Sequence, residues 1–199
     1  MAWSFNKEVV RKLLHLLSIF ILFFYLLISH YFNHQIGLFF LSALLIIAIT
    51  LEYLRIEVNR NVPIISILWK YIRRKKERDA MGSEVYFLLG SIIVLSVFDI
   101  RIAIVAILMT IFGDAVAAVI GYKFGKTPIK FIKGKAWEGV LAQFGIDVLV
   151  GLLIMPSMWW IVITMALVAT SVETASSKID DNILIPIFSG FAGHILLFL

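Results

Sequence analysis

Apolar runs long enough to cross a bilayer recur from one end of this chain to the other. In hydrocarbon the backbone polar groups must be satisfied within the chain itself, so each run closes its hydrogen bonds as a helix. Of the 199 residues, 61% are hydrophobic and the mean hydropathy is +0.99, where a soluble domain is about half apolar. The fold class is therefore all-α, a polytopic transmembrane helical bundle. No polar stretch is long enough to build a core of its own, so residues 1–199 read as a single integral-membrane domain. The chain has no cysteine, which excludes disulfides and thiolate chemistry. Its first residues are basic and then apolar, like a signal peptide, but no small-residue cleavage site follows, so they read as a retained first helix.

Seven spans are expected, near Leu13–Ser29, Ile36–Leu54, Met81–Phe98, Arg101–Tyr122, Trp137–Met155, Ser157–Ala175 and Ile183–Leu199. Basic residues orient them. Lys7, Arg11 and Lys12 precede the first span. Arg55, Arg60, Lys70, Arg73, Arg74, Lys75, Lys76 and Arg78 separate the second and third, five lysines separate the fourth and fifth, and Lys178 separates the last two. Only Arg101 falls on the other side. The positive-inside rule then puts the N-terminus in the cytoplasm and the C-terminus outside. The net charge of +5 would suggest nucleic acid in a soluble protein. Here it reflects inner loops facing anionic lipid or phosphates, and no nucleic-acid partner is expected. Within the inner loop after the second span, Asn61 and Pro63 suit a helix start. Ile64, Ile65, Leu68, Tyr71 and Ile72 then recur at helical spacing, as in an amphipathic helix lying on the membrane surface.

The fourth span carries the sharpest chemical signal. Asp114 lies eight residues before Tyr122, ~12 Å in from the cytoplasmic end at 1.5 Å per residue. A carboxylate at that depth is costly unless it faces a wet or cationic site. Gly113, Ala117 and Gly121 make a small-residue face beside it, which admits a neighbouring helix or a ligand. The loop that follows has Gly121, Gly125 and Gly134 to free the backbone and Lys123, Lys126, Lys130, Lys133 and Lys135 to supply charge. Together these can hold a polyphosphate. Glu138 opens the next helix, where a carboxylate caps the dipole or holds a metal. The plain alternatives are topology for the lysines and a helix-bridging role for Asp114. Gly121–Thr127 resembles a P-loop, but it has three residues between its glycines and follows a membrane helix rather than a strand.

Other polar groups gather at the same membrane face. Glu8, Arg11, Lys12 and His15 share one helix face. Glu52 and Arg55 are spaced for a local, structural ion pair. Glu173 ends the sixth span, and Asp180, Asp181 and Asn182 precede the seventh. Hard oxygen ligands at this density suit Mg²⁺, which keeps waters and bridges phosphates; the alternative for the Asp-Asp-Asn run is an ordinary N-cap. Asp147 and His194 lie inside spans five and seven and suit an interhelix polar pair or a pathway.

Taken as an ordered set, these residues resemble the polyprenol kinase family, which includes dolichol kinase, phytol kinase and CTP-dependent diacylglycerol kinase. The resemblance rests on Glu8-Val-Val-Arg11-Lys12-Leu-Leu-His15, Gly113-Asp114-Ala115 with Gly121 and Gly125, Lys135-Ala-Trp-Glu138-Gly139, then Glu173 and Asp180-Asp181-Asn182 with Pro186. It covers most of the chain. One departure is Ala136, where related proteins often have a hydroxyl residue. The resemblance implies transfer of the γ-phosphoryl group of CTP, with Mg²⁺, to a polyprenol-, dolichol- or phytol-type alcohol at the cytoplasmic face of a cell membrane or an endoplasmic-reticulum-type membrane. It implies catalytic roles for Asp114, Glu173, Asp181 and His15. Arg11, Lys12, Gly121, Gly125, Lys126, Lys133, Lys135 and Glu138 would bind the nucleotide, and Asp114, Glu173, Asp180 and Asp181 the metal. Phosphoryl transfer needs cations around the phosphates, a metal and a positioned alcohol, which these residues can supply. Two other functions compete. A CTP-dependent lipid cytidylyltransferase would carry a longer acidic signature. An ion-coupled transporter would route a cation past Asp114, Asp147 and His194, and would not need its polar residues on one face.

Overall fold

The structure is a computed structural model and describes residues 5–57, 80–130, 132, 134–176 and 179–199. Every regular element among them is helical. The order is α1 (Phe5–Leu16), α2 (Ser18–Tyr31), α3 (His34–Ile56), α4 (Ser83–Val97), α5 (Ile100–Phe124), α6 (Trp137–Ile154), a 3-10 turn (Pro156–Met158), α7 (Trp159–Ala175) and α8 (Asp181–Leu197). Among the described residues, five helical stretches are long and apolar enough to cross a membrane: Val9–Tyr31, His34–Ile56, Ile100–Phe124, Trp137–Ile154 and Pro156–Ala175. Two of the seven expected spans are shorter apolar helices, α4 with 15 residues and α8 with 17. The expected surface helix over 61–72 lies outside the described residues, as do Arg60, Lys70, Arg73, Arg74, Lys75, Lys76, Arg78, Lys133 and Lys178.

The chain divides into two compact units, Met1–Leu89 and Gly90–Leu199. In the first, α2 packs against α3. Gly37 makes this approach possible, because a Cβ there would lie 2.2 Å from Ser29 Oγ and 2.9 Å from the Tyr25 ring. Tyr25 is fully buried and its hydroxyl bonds His34 Nδ1 at 2.7 Å. Glu52, near the end of α3, is also buried. Its Oε2 accepts from Arg55 Nη2 at 2.8 Å and from the Gly82 amide at 2.9 Å, while Arg55 Nη2 also donates to Ala80 O at 2.7 Å. The expected local ion pair thus also ties the start of α4 to the end of α3.

The second unit is built around α5. Asp99 caps this helix by accepting from the Arg101 amide at 3.0 Å, and eleven α5 residues from Ile102 to Ala115 are buried. The apolar core joins Ile102, Val105, Ala106 and Met109 of α5 to Ile161, Val162, Met165, Ala166 and Ala169 of α7 and Ile185 of α8. With no hydrophobic effect to drive helices together in lipid, close packing of small residues has to do so. Gly139 of α6 lies against α5 so tightly that a Cβ would be 2.8 Å from Ala117 O and 3.1 Å from Gly121 Cα. Gly151 and Gly193 make similar room for Val162 and Met165. In α8, Pro186 has no N–H to give Asn182 O, and that carbonyl faces Gly90, whose missing side chain leaves it room.

Candidate active site

Three helices deliver one carboxylate each to the same place. Asp114 comes from α5, Glu173 from the last turn of α7 and Asp181 from the first residue of α8. One carboxylate oxygen of each lies within 4.8 Å of the others. Asp114 and Glu173 are buried and Asp181 is half-buried. Because α5 runs on to Phe124, Asp114 sits ten residues from its end, ~15 Å along the axis. Two unit charges 4.8 Å apart repel by roughly 3.5 kcal/mol at an effective dielectric of 20. Three acids in this arrangement therefore call for positive charge.

Part of it comes from the loop between α5 and α6. Gly125 ends α5, where a Cβ would lie 2.8 Å from that of Ala136. The chain then doubles back on itself. Ile129 donates to Lys135 O at 3.1 Å and Trp137 to Thr127 O at 3.0 Å, around an isolated bridge between Pro128 and Ala136. Gly134, at φ +85°, occupies backbone space that favours glycine. The returning strand of this loop aims Lys135 at the acids. Its Nζ lies 2.9 Å from Glu173 Oε1 and also donates to the Glu173 carbonyl. The three carboxylates are hard oxygen donors of the kind Mg²⁺ and Ca²⁺ prefer, and a divalent cation fits among them.

The other candidates are placed as follows. Asp180 stands outside the three-acid cluster and caps α8. Its Oδ1 accepts from the Asn182 amide at 3.0 Å and from Asn182 Nδ2 at 2.7 Å. The same Nδ2 reaches Asp181 Oδ1 at 3.2 Å, so the buried Asn182 side chain links the cap to the cluster acid. Glu138, in the first turn of α6, accepts from the Thr127 amide at 3.0 Å and so pins the loop that carries Lys135. Gly121 faces Gly139 across the α5–α6 seam, where its added Cβ would meet Gly139 Cα at an ordinary 3.6 Å. Lys126 and Lys123 are exposed, and Lys123 Nζ lies 5.2 Å from the Phe124 ring centre. Lys133 is outside the described residues, as is the side chain of Glu8.

On α1, Lys12 is buried, while Arg11 and His15 are half-buried. The His15 ring meets Phe87 edge-on at 6.0 Å. His194 accepts from the Asp99 amide at 3.2 Å and stacks with Phe98 and Phe198, which makes it part of a helix junction. Sequence reasoning grouped the acids by membrane face but missed Asn182 as a link between Asp180 and Asp181. Its place one residue after a paired aspartate was the available signal.

Comparison with known proteins bears on what this arrangement does. The chain is 33% identical over 188 residues to an uncharacterized protein of Methanocaldococcus jannaschii, covering 93% of this chain and 92% of that one. It is 27% identical over 211 residues to CTP-dependent diacylglycerol kinase 1 of Schizosaccharomyces pombe, covering 94% and 92%. It is 28% identical over 141 residues to a probable chloroplastic phytol kinase of Triticum aestivum, covering 62% and 47%. No family model matches the chain, and no solved structure does.

Proposed function

Because the chain belongs to the polyprenol kinase-like family of membrane lipid kinases, we propose that it moves the γ-phosphoryl group of CTP to a lipid alcohol of the polyprenol, dolichol or phytol type. The observation that carries this reading is the meeting of Asp114, Glu173 and Asp181 with Lys135. CTP as donor and an isoprenoid alcohol as acceptor follow the named relatives and the resemblance. Basic inner loops support a reaction at the cytoplasmic face of a seven-span bundle, with the C-terminus outside. Embedding the enzyme lets the acceptor keep its apolar tail in the bilayer.

In the reaction the alcohol oxygen bonds to the γ-phosphorus. The bond from that phosphorus to the β–γ bridging oxygen breaks, CDP departs and the hydroxyl proton is released. Most of the catalysis is positioning and charge neutralisation. Asp114, Glu173 and Asp181 would hold Mg²⁺, which when bound supplies positive charge to the phosphates. Lys135 and the exposed Lys126 would hold phosphate oxygens, with Gly121 and Gly125 letting the chain turn close to them. Glu138 would fix the loop, and Asp180 would set the start of α8. Arg11, Lys12 and His15, on α1, join the proposal through the resemblance.

The test is purified protein with γ-³²P-CTP, Mg²⁺ and a panel of lipid alcohols, run beside Asp114→Asn. Label should enter lipid and fall at least ~100-fold in the variant, the scale of losing a charge-stabilising group in a transfer reaction. Pyrophosphate release with a phosphatidate acceptor, and no labelled lipid, would instead identify a cytidylyltransferase.

A further inference from the structure

Two buried polar side chains have no place in the scheme above. Gln143 and Asp147 stand one turn apart on the same face of α6, and both have zero exposure. Among the described residues, neither polar atom of the Gln143 carboxamide and neither carboxylate oxygen of Asp147 has a hydrogen-bond partner. The two side chains are close enough to influence each other, and no hydrogen bond of good geometry to either is found among the described residues. α6 is long and apolar enough to cross a membrane, so bulk water does not compensate them. Leaving such groups unpaired in hydrocarbon is expensive, and polar or ionisable residues there mark sites that bind something.

Their surroundings indicate what that is. Gly113 makes room for Asp147, since a Cβ there would lie 2.5 Å from its Oδ1. Gly113 immediately precedes Asp114 in the acid cluster, and Asp147 is within electrostatic reach of Glu173. Along α6 the pair lies beyond Glu138 and Gly139, deeper than the lysine loop; Asp147 is ten residues from Trp137, ~15 Å. On the kinase reading, a nucleotide triphosphate would meet the cluster from the lysine loop, and a lipid acceptor, whose tail stays in the bilayer, from the deeper side. A carboxylate only accepts hydrogen bonds, a carboxamide NH₂ donates, and an alcohol does both. One hydroxyl therefore pairs with one oxygen of Asp147 and one N–H of Gln143. It donates to Asp147 and accepts from Gln143 Nε2, and its second lone pair stays available to phosphorus.

We infer that Gln143 and Asp147 form the hydroxyl-binding end of the acceptor site, holding the lipid's alcohol group beside Asp114, Glu173 and Asp181. This rests on the kinase reading and adds two acceptor-positioning residues to it. The rival occupant is internal water with a purely structural role.

The test uses the full chain in nanodiscs, with Gln143→Leu and Asp147→Asn chosen because both nearly conserve volume. Monodispersity and melting temperature identify the folded variants. The first readout is KM for farnesol against KM for CTP; the second is equilibrium binding of tritiated farnesol without nucleotide. Each variant should raise the farnesol KM about 10-fold, the scale of one lost hydrogen bond, with the CTP KM unchanged, and should weaken farnesol binding by a similar factor. Unchanged farnesol KM and binding in folded variants would assign the pair to water and overturn the inference while leaving the kinase reading intact. If the wild type phosphorylates no lipid alcohol, the kinase reading fails, and binding still decides the inference. Binding that depends on the pair supports it. Absent or pair-independent binding refutes it.

Discussion

Removing the Lys135 ammonium should destabilise the metal-free protein more when the Glu173 carboxylate is present than in Glu173→Gln, where only the bond to the Glu173 carbonyl is left to lose. The contact is 2.9 Å long, with the lysine side chain 24% exposed and the glutamate 10%. Fully exposed pairs contribute about 0.2–1 kcal/mol, whereas losing one partner of a buried pair costs about 3–5 kcal/mol. This contact lies between those limits, so a coupling of about 2 kcal/mol is expected between the two side chains. For a chain of this size that corresponds to roughly 4–8 °C in melting temperature. The design is a double-mutant cycle of Lys135→Met, Glu173→Gln and the pair, followed by thermal unfolding in detergent with EDTA. Lys135→Met should also remove the ammonium beside Glu173, so added Mg²⁺ should raise its melting temperature more than that of the wild type. Additive effects, within the ~0.5 kcal/mol seen for independent sites, would refute the reasoning. Equal Mg²⁺ stabilisation of all four proteins would refute the three-acid site as its origin.

Four further outcomes follow from the geometry of the second unit. Gly139→Ala should destabilise by about 1–3 kcal/mol, the usual cost of overpacking, because its new Cβ meets backbone at 2.8 Å. Gly121→Ala, whose Cβ would have 3.6 Å of clearance, should melt within about 0.5 kcal/mol of the wild type. Asp180→Ala should cost about 1 kcal/mol through its lost cap with the Mg²⁺ requirement for activity unchanged, whereas Asp181→Asn should raise the Mg²⁺ concentration needed for half-maximal activity.

Much of the acid cluster was legible because a carboxylate in an apolar helix is conspicuous. Asp114, Glu173 and Asp181 each stand out against their neighbours, and topology sends them to one face. Asp180 and Asp181 could not be told apart from spacing, since either could cap α8 or face the cluster. Hydrogen bonds to Asn182 decide between them. Gln143 was invisible as a candidate because a lone amide in an apolar helix has several ordinary roles. Its meaning comes from having no partner next to Asp147, which is a property of packing.

What the sequence determined by itself is the all-helical membrane class and the kinds of group available for chemistry. Both follow from local composition, since backbone hydrogen bonding in lipid admits few alternatives. The tertiary structure decided that Lys135 meets an acid and that Asp181 rather than Asp180 joins the cluster. It also decided where glycine is required, at Gly139 and Gly113 rather than Gly121. These are questions of distance between segments remote along the chain, and they are settled by how closely α5, α6, α7 and α8 approach one another.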